Sequence, residues 1–155
     1  MEIEKIDKVV IPNFLDYFKD EFKNEREREL LLNLLKDCNN KKSYIYLLKD
    51  KDQGIGCIGI TFDRIIDSPV LSIEYLFVAK TYRKQKIIND KKVSEFLLSF
   101  LLDDIIPKLK EYSPIRYLAL YPDRQSEKLI KYYLEILTNS FKIKDKKEIW
   151  ILLKV

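Results

Sequence analysis

The stretch from Tyr75 to Leu98, YLFVAKTYRKQKIINDKKVSEFLL, constrains the fold of this chain more than any other segment. It follows directly on VLSIE, and the joined run VLSIEYLFV is apolar enough for a strand covered on both faces at the centre of a sheet. Beyond a lysine-rich loop, Val93, Phe96, Leu97, Phe100 and Leu101 recur at helical spacing. A strand that runs through a loop into a helix N-terminus is a common anion cradle. The first-turn N–H groups lack partners there, and the helix dipole adds positive potential. Such loops are usually rich in glycine, and this one has none.

The elements around this stretch alternate between the two periods. Glu2 to Lys8 reads as a short strand. Pro12 suits a first helical turn, and Ile11, Phe14, Leu15, Phe18 and Phe22 follow at helical spacing. Asn24 and Glu27 form a capping pair for a second helix whose core face is Leu31, Leu34, Leu35 and Cys38. SYIYLLKDKDQGIGCIGITFD reads as a hairpin and holds all three glycines, Gly54, Gly56 and Gly59. The helix after the lysine loop is expected from about Asp90 to Tyr112, with Pro107 kinking it or starting a second piece. IRYLALY is a further strand. Asp123 is expected to cap a helix with Ser126, Leu129, Ile130, Tyr133, Leu134 and Leu137 inside. FKIKDKKEIWILLKV closes as a hairpin whose apolar last strand offers itself as an edge for a homodimer.

Composition narrows the chemistry. At 155 residues the chain fits one domain over 1–155. There is no histidine, which removes Ser-His and Cys-His catalysis and any His-based metal site. Two cysteines in no paired spacing point to a reducing, cytoplasmic setting. The charged N-terminus MEIEKIDKVV lacks the apolar run of a signal peptide, and no segment approaches the length of a membrane span. A net charge of +4 permits a polyanionic ligand without requiring nucleic acid.

With the order β-α-α-β-β-β-α-β-α-β-β in hand, the chain resembles the GNAT superfamily of N-acetyltransferases. The family signature runs from a strand through Val-x-Pro-x-Tyr-Arg-Gly-x-Gly-x-Gly into a helix. In FVAKTYRKQKII, Val78, Tyr82 and Arg83 match; Lys80 stands for the proline, and Lys84, Lys86 and Ile88 stand for the glycines. A second signature matches YLALYPDRQSEKLIKYYLEILTNSF, with Asp123 where the family often has Asn and Tyr133 at its tyrosine. The resemblance implies an α/β (α+β) fold: a mixed, mostly antiparallel, twisted sheet of about seven strands flanked by about four helices. It also implies acetyl-CoA as cosubstrate, no metal, and direct transfer of the acetyl group to a primary amine of unidentified class.

The same resemblance suggests residue roles. Phe77 and Val78 would meet the pantetheine arm through their backbone. Arg83, Lys84, Gln85, Lys86, Ile87 and Ile88 would form the pyrophosphate loop, with lysine charges in place of close glycine backbone. Two registers stand. Either Ile88 stands at the last glycine position and the helix follows from about Asp90, or the helix starts at Val93-Ser94 after a longer loop from Lys84 to Lys92. A protonated amine must lose a proton before attack, and Glu74, on the same strand face as Val78, is the candidate base. Tyr133 is the candidate donor to the leaving thiolate, with Tyr132 as the fallback. Each has an ordinary alternative: a paired strand glutamate, a core tyrosine and a solvated lysine loop. Two other functions compete, a non-catalytic GNAT-fold module and a basic RNA-associated protein. The small net charge and the lack of an aromatic RNA-reading motif make nucleic acid an unlikely partner, and no membrane partner is expected.

Overall fold

The computed structural model describes residues Met1–Val155. Its main sheet has seven strands in the order β1-β2-β3-β4-β7-β9-β8, and β5 (Lys86–Ile88) and β6 (Lys91–Lys92) pair in a small sheet of their own. These are β1 (Glu2–Ile6), β2 (Tyr44–Asp50), β3 (Gln53–Ile65), β4 (Ser68–Val78), β7 (Tyr117–Leu120), β8 (Phe141–Asp145) and β9 (Glu148–Lys154). β4 and β7 run parallel, while β1–β2, β2–β3, β7–β9 and β8–β9 are antiparallel. The helices are α1 (Ile11–Asp16), α2 (Glu25–Asn39), α3 (Val93–Phe100), α4 (Ile106–Lys110) and α5 (Glu127–Ile136). This is the mixed, mostly antiparallel α/β architecture expected. No helix is long and apolar enough to cross a membrane. The chain divides into two compact units, Met1–Ile60 with Glu74–Ser99 and Thr61–Ile73 with Phe100–Val155.

In the first unit, α1 is shorter than its phenylalanine spacing suggests. It ends at Asp16, and the chain turns through Asp20, whose φ is 62°. Phe18 and Phe22 lie beyond the helix, yet Phe18 is fully buried, because burial of an aromatic ring needs a core and not a helix. α2 behaves as its sequence reads: Asn24 Oδ1 accepts from Glu27 N at 3.0 Å, and Leu31, Leu34, Leu35 and Cys38 are buried. They pack with Phe14, Phe18, Ile45, Leu47, Cys57 and Phe77 in one core. The glycines of β3 let helices approach. A Cβ on Gly56 would lie 2.8 Å from the Phe77 carbonyl oxygen and 3.1 Å from Val93 Cγ1 at the start of α3. One on Gly59 would lie 2.3 Å from Leu34 of α2.

In the second unit, Pro107 has the predicted effect. It sits in the first turn of α4, and the turn before it, Leu101–Ile105, is widened to π geometry. Proline has no N–H to give the preceding turn, and its ring crowds the carbonyl four residues back, so the ladder loosens there. Around the sheet, Ile65, Val70, Ala119 and Leu152 form a core with Tyr117, Ile143 and Trp150 packed against it. Two expectations are corrected. β9 is paired on both sides, by β7 and β8, so it offers no free edge; the hairpin returns it into the sheet and leaves lysine-bearing β8 outside. Ser126, not Asp123, caps α5, its hydroxyl accepting from Leu129 N at 3.3 Å. Asp123 begins a 3-10 turn instead, in which Arg124 takes a φ of 55°. The Gln125 side chain from that turn bonds both backbone groups of Ile149 in β9.

Candidate functional site

The end of β4 sets the geometry. Side chains alternate along a strand, so Tyr75 and Phe77 share one face while Glu74, Leu76 and Val78 share the other. Phe77 is buried, its ring 5.0 Å from those of Phe18 and Phe22. Glu74 is exposed on the opposite face, and Val78 is half-buried there.

Past Val78 the chain is tied down group by group. Ala79 N donates to Ile55 O at 2.9 Å and Lys80 N to Glu21 O at 3.0 Å. The Glu21 carboxylate accepts from Thr81 N at 2.8 Å and from Thr81 Oγ1 at 2.7 Å. Arg83 donates from Nε to Val78 O and from Nη2 to Glu27 Oε1, each at 2.8 Å. Its guanidinium lies 5.6 Å from the Phe77 ring centroid. Glu27 Oε1 also accepts from Lys23 N at 2.7 Å. The Tyr75 hydroxyl donates to Glu27 O at 3.3 Å.

The next residues differ. Lys84 adopts φ 69°, the left-handed backbone that glycine favours, at a position where the family signature has glycine. Lys86–Ile88 and Lys91–Lys92 then pair as a small hairpin, β5 and β6, around Asn89 and Asp90 with φ 48° and 60°. Two left-handed residues in a two-residue loop are what a type I′ turn requires. α3 starts at Val93, so the longer-loop register holds, and Asp90 lies in the turn rather than in the helix. Lys86 and Ile88 are strand residues, with Ile87 and Ile88 half-buried. Lys80, Lys84, Gln85, Lys86 and Lys91 are exposed. Lys91 Nζ donates to Ser99 Oγ at 3.1 Å.

Tyr133 stands on α5 in the second unit and is half-buried. Burial, then Tyr132 and Asp123, push its hydroxyl up to about 12 from the ordinary 10.0. It is therefore fully protonated at neutral pH and available as a donor. Tyr132 packs edge-on against it, ring centroids 5.4 Å apart. Cys57 is wholly buried with its thiol pushed upward by desolvation, which fits packing and not nucleophilic work.

Glu74, Phe77, Val78 and Arg83–Ile88 thus belong to one unit, and Tyr133 to the other. The first unit also carries a cleft of about 430 Å³ lined by Leu15, Asp16, Lys19, Asp20, Phe22, Asn24, Glu25 and Arg28. Sequence reasoning missed Glu21 as an anchor and saw Glu27 only as a cap. Arg83 and Glu27 are 56 residues apart, a separation that no local pattern reveals.

Residues 11–88 match the profile of the acetyltransferase (GNAT) family. No curated protein matches the chain. Several solved structures share its fold. AtaT, in the AtaT–AtaR complex bound to DNA, aligns at TM-score 0.73 and 14% identity over 99% of this chain and 94% of its own. The PaiA N-acetyltransferase of Thermoplasma acidophilum, solved with coenzyme A, aligns at TM-score 0.59 and 16% identity over 100% of both chains. The Campylobacter jejuni N-acetyltransferase PseH aligns at TM-score 0.58 and 17% identity over 99% of this chain and 96% of its own. AtaT is also known in complex with acetyl-methionyl-tRNAfMet, so the expectation against nucleic acid finds no support among these neighbours.

Proposed function

The chain belongs to the GNAT acetyltransferase family, and from that premise we propose that it transfers an acetyl group from acetyl-CoA to a primary amine. The observation that carries this reading is the backbone of Lys84. Its φ of 69° is the left-handed backbone that glycine favours, at a position where the signature has glycine, and this supports a pyrophosphate loop although the side chain differs. Lys84 and Lys86 add exposed point charges that can meet phosphate oxygens in place of close backbone approach. The N-terminal end of the α3 dipole, at Val93, adds positive potential.

Bound acetyl-CoA would supply an activated thioester. The chain's own groups then have distinct tasks. Glu74, on the Val78 face of β4, takes the proton of the incoming ammonium, directly or through water. The backbone at Phe77 and Val78 orients the acyl arm and offers an N–H to the carbonyl oxygen as charge develops. Tyr133, kept protonated by its surroundings, gives a proton to the departing thiolate. The cleft between α1 and α2 is a candidate surface for choosing the amine. An amine carried on RNA belongs in the substrate panel, because AtaT is seen with an acetylated aminoacyl-tRNA. Two free, buried cysteines fit a reducing cytoplasm.

A second reading, a GNAT-fold module without catalysis, draws on Ile88, a half-buried branched residue where the signature has glycine. Calorimetric titration with acetyl-CoA at low and moderate salt separates the two. The enzyme reading expects micromolar binding that weakens about tenfold in Lys84→Ala/Lys86→Ala, a loss of about 1.4 kcal/mol. No binding at either salt removes the enzyme reading and leaves the module.

A further inference from the structure

Arg83 occupies the arginine position of the cofactor signature, but its guanidinium is engaged elsewhere. Nε is bonded to the Val78 carbonyl and Nη2 to Glu27, both at 2.8 Å, and the group stacks near Phe77. The Arg83 and Glu27 side chains are only 28% and 22% exposed, so the pair is mostly shielded from water. Glu27 is itself fixed: its N–H donates to Asn24 Oδ1, its carboxylate accepts from Lys23 N, and its carbonyl accepts from the Tyr75 hydroxyl of β4. The result is a closed chain of bonds from the α2 N-terminus to the last residue of β4 and back.

We propose that Arg83 and Glu27 form a positioning pair, which fixes the Phe77–Val78 strand end against the α2 N-terminus and so sets where the acyl group of the thioester rests. The inference deepens the acetyl-CoA reading and depends on it. The geometry demands arginine. A guanidinium reaches the Val78 carbonyl and the Glu27 carboxylate at once through separate N–H groups of one rigid fork. A lysine ammonium is a single point and satisfies one of them at a time. Occupied in this way, Arg83 does not serve as a free phosphate ligand, and the phosphates are left to the backbone and to Lys84 and Lys86.

The test compares acetyl-CoA with CoA by calorimetry, which needs no knowledge of the amine. The variants are Arg83→Lys, Glu27→Gln and the two combined. A positioning pair predicts that Arg83→Lys and Glu27→Gln each shift the ratio of acetyl-CoA to CoA affinity by about threefold or more, while affinity for CoA itself changes less than about twofold. The double variant should be no worse than either single one, because both remove the same linkage. A phosphate-gripping Arg83 predicts the opposite pattern: CoA and acetyl-CoA weaken together in Arg83→Lys, and Glu27→Gln, which releases the guanidinium, binds both more tightly. That pattern overturns the proposal, as does an unchanged ratio in both variants. Should Arg83→Lys fold poorly, Glu27→Gln alone still decides, since the two readings predict different effects for it. Wild-type protein that binds neither ligand removes the acetyl-CoA reading itself, and the pair's role with it; wild-type binding with an unchanged ratio removes only the pair's role.

Discussion

From Ala79 to Arg83 the segment after β4 is bonded at its backbone amides and at the Thr81 and Arg83 side chains, with Tyr82 packed against the core. From Lys84 to Lys92 it is held by a short ladder of its own and by two side-chain bonds, Gln85 to the Thr81 carbonyl and Lys91 to Ser99, and it exposes Lys84, Lys86 and Lys91. The contrast follows the match to the family signature. Tyr82 and Arg83, which agree with it, carry packing and bonding. Lys84 and Lys86, which replace its glycines, carry charge. In the first half a side chain is chosen by what it must reach. In the second it is chosen by the field it adds, and Lys84 takes a left-handed backbone that glycine favours without being glycine. The chain's three glycines sit in β3, where Gly56 and Gly59 admit α3 and α2 at close range and Gly54 admits Phe18.

The sharpest way to break this contrast is at Gly56, beneath the tied half. An added Cβ meets the Phe77 carbonyl at 2.8 Å and the α3 side chains Val93 and Leu97 at 3.1 and 3.3 Å. A backbone oxygen within a strand cannot swing aside, so Gly56→Ala should cost about 2–3 kcal/mol, read by chemical denaturation. It should also disturb the β4 end and weaken acetyl-CoA binding, although residue 56 lies outside the loop. A neutral outcome would mean that β4 and α3 yield easily, and the tied half would not be rigid.

The contrast itself was only partly legible in the sequence. Periodicity and capping chemistry are local, so α2, with Asn24 and Glu27 at its start and Leu31, Leu34, Leu35 and Cys38 inside, could be read directly. The hairpin around the β3 glycines was equally clear. The β5–β6 ladder was read as plain loop because its strands are three and two residues long, too short for alternation to show; the Asn89–Asp90 pair was the available signal. Asp123 and Ser126 are both good caps, and only the turn at Arg124 decides between them. α1 misled because Phe14, Phe18 and Phe22 keep helical spacing through a chain reversal at Asp20. The linkage of Glu21 to Thr81 spans 60 residues and that of Glu27 to Arg83 spans 56, and contacts of that reach leave no pattern in one sequence.

A second, smaller effect compares the halves directly. Arg83→Ala leaves the Glu27 carboxylate half-buried and the Val78 carbonyl without its donor, a loss of about 2 kcal/mol. Lys86→Ala removes an exposed charge and should stay within about 0.5 kcal/mol of wild type. Urea denaturation of the two variants side by side measures the difference. Equal costs would show that the loop is one cooperative piece and that the division at Lys84 has no energetic meaning.

The smallest expected effect has the opposite sign and is the most informative about the ligand. Lys84 is held at φ 69°, where an L side chain crowds its own backbone and glycine does not. Lys84→Gly should therefore stabilise the fold by about 1 kcal/mol, seen as a modest rise in melting temperature. The same change deletes an exposed cation from the loop. If side-chain charge holds the pyrophosphate, the variant melts higher yet binds acetyl-CoA more weakly, with a shallower salt dependence. If backbone amides hold it, the variant melts higher and binds more tightly, because glycine admits the phosphate more closely. Stability and affinity move apart in the first case and together in the second, so one substitution, measured twice, decides whether lysine at this position supplies the grip or only tolerates the conformation.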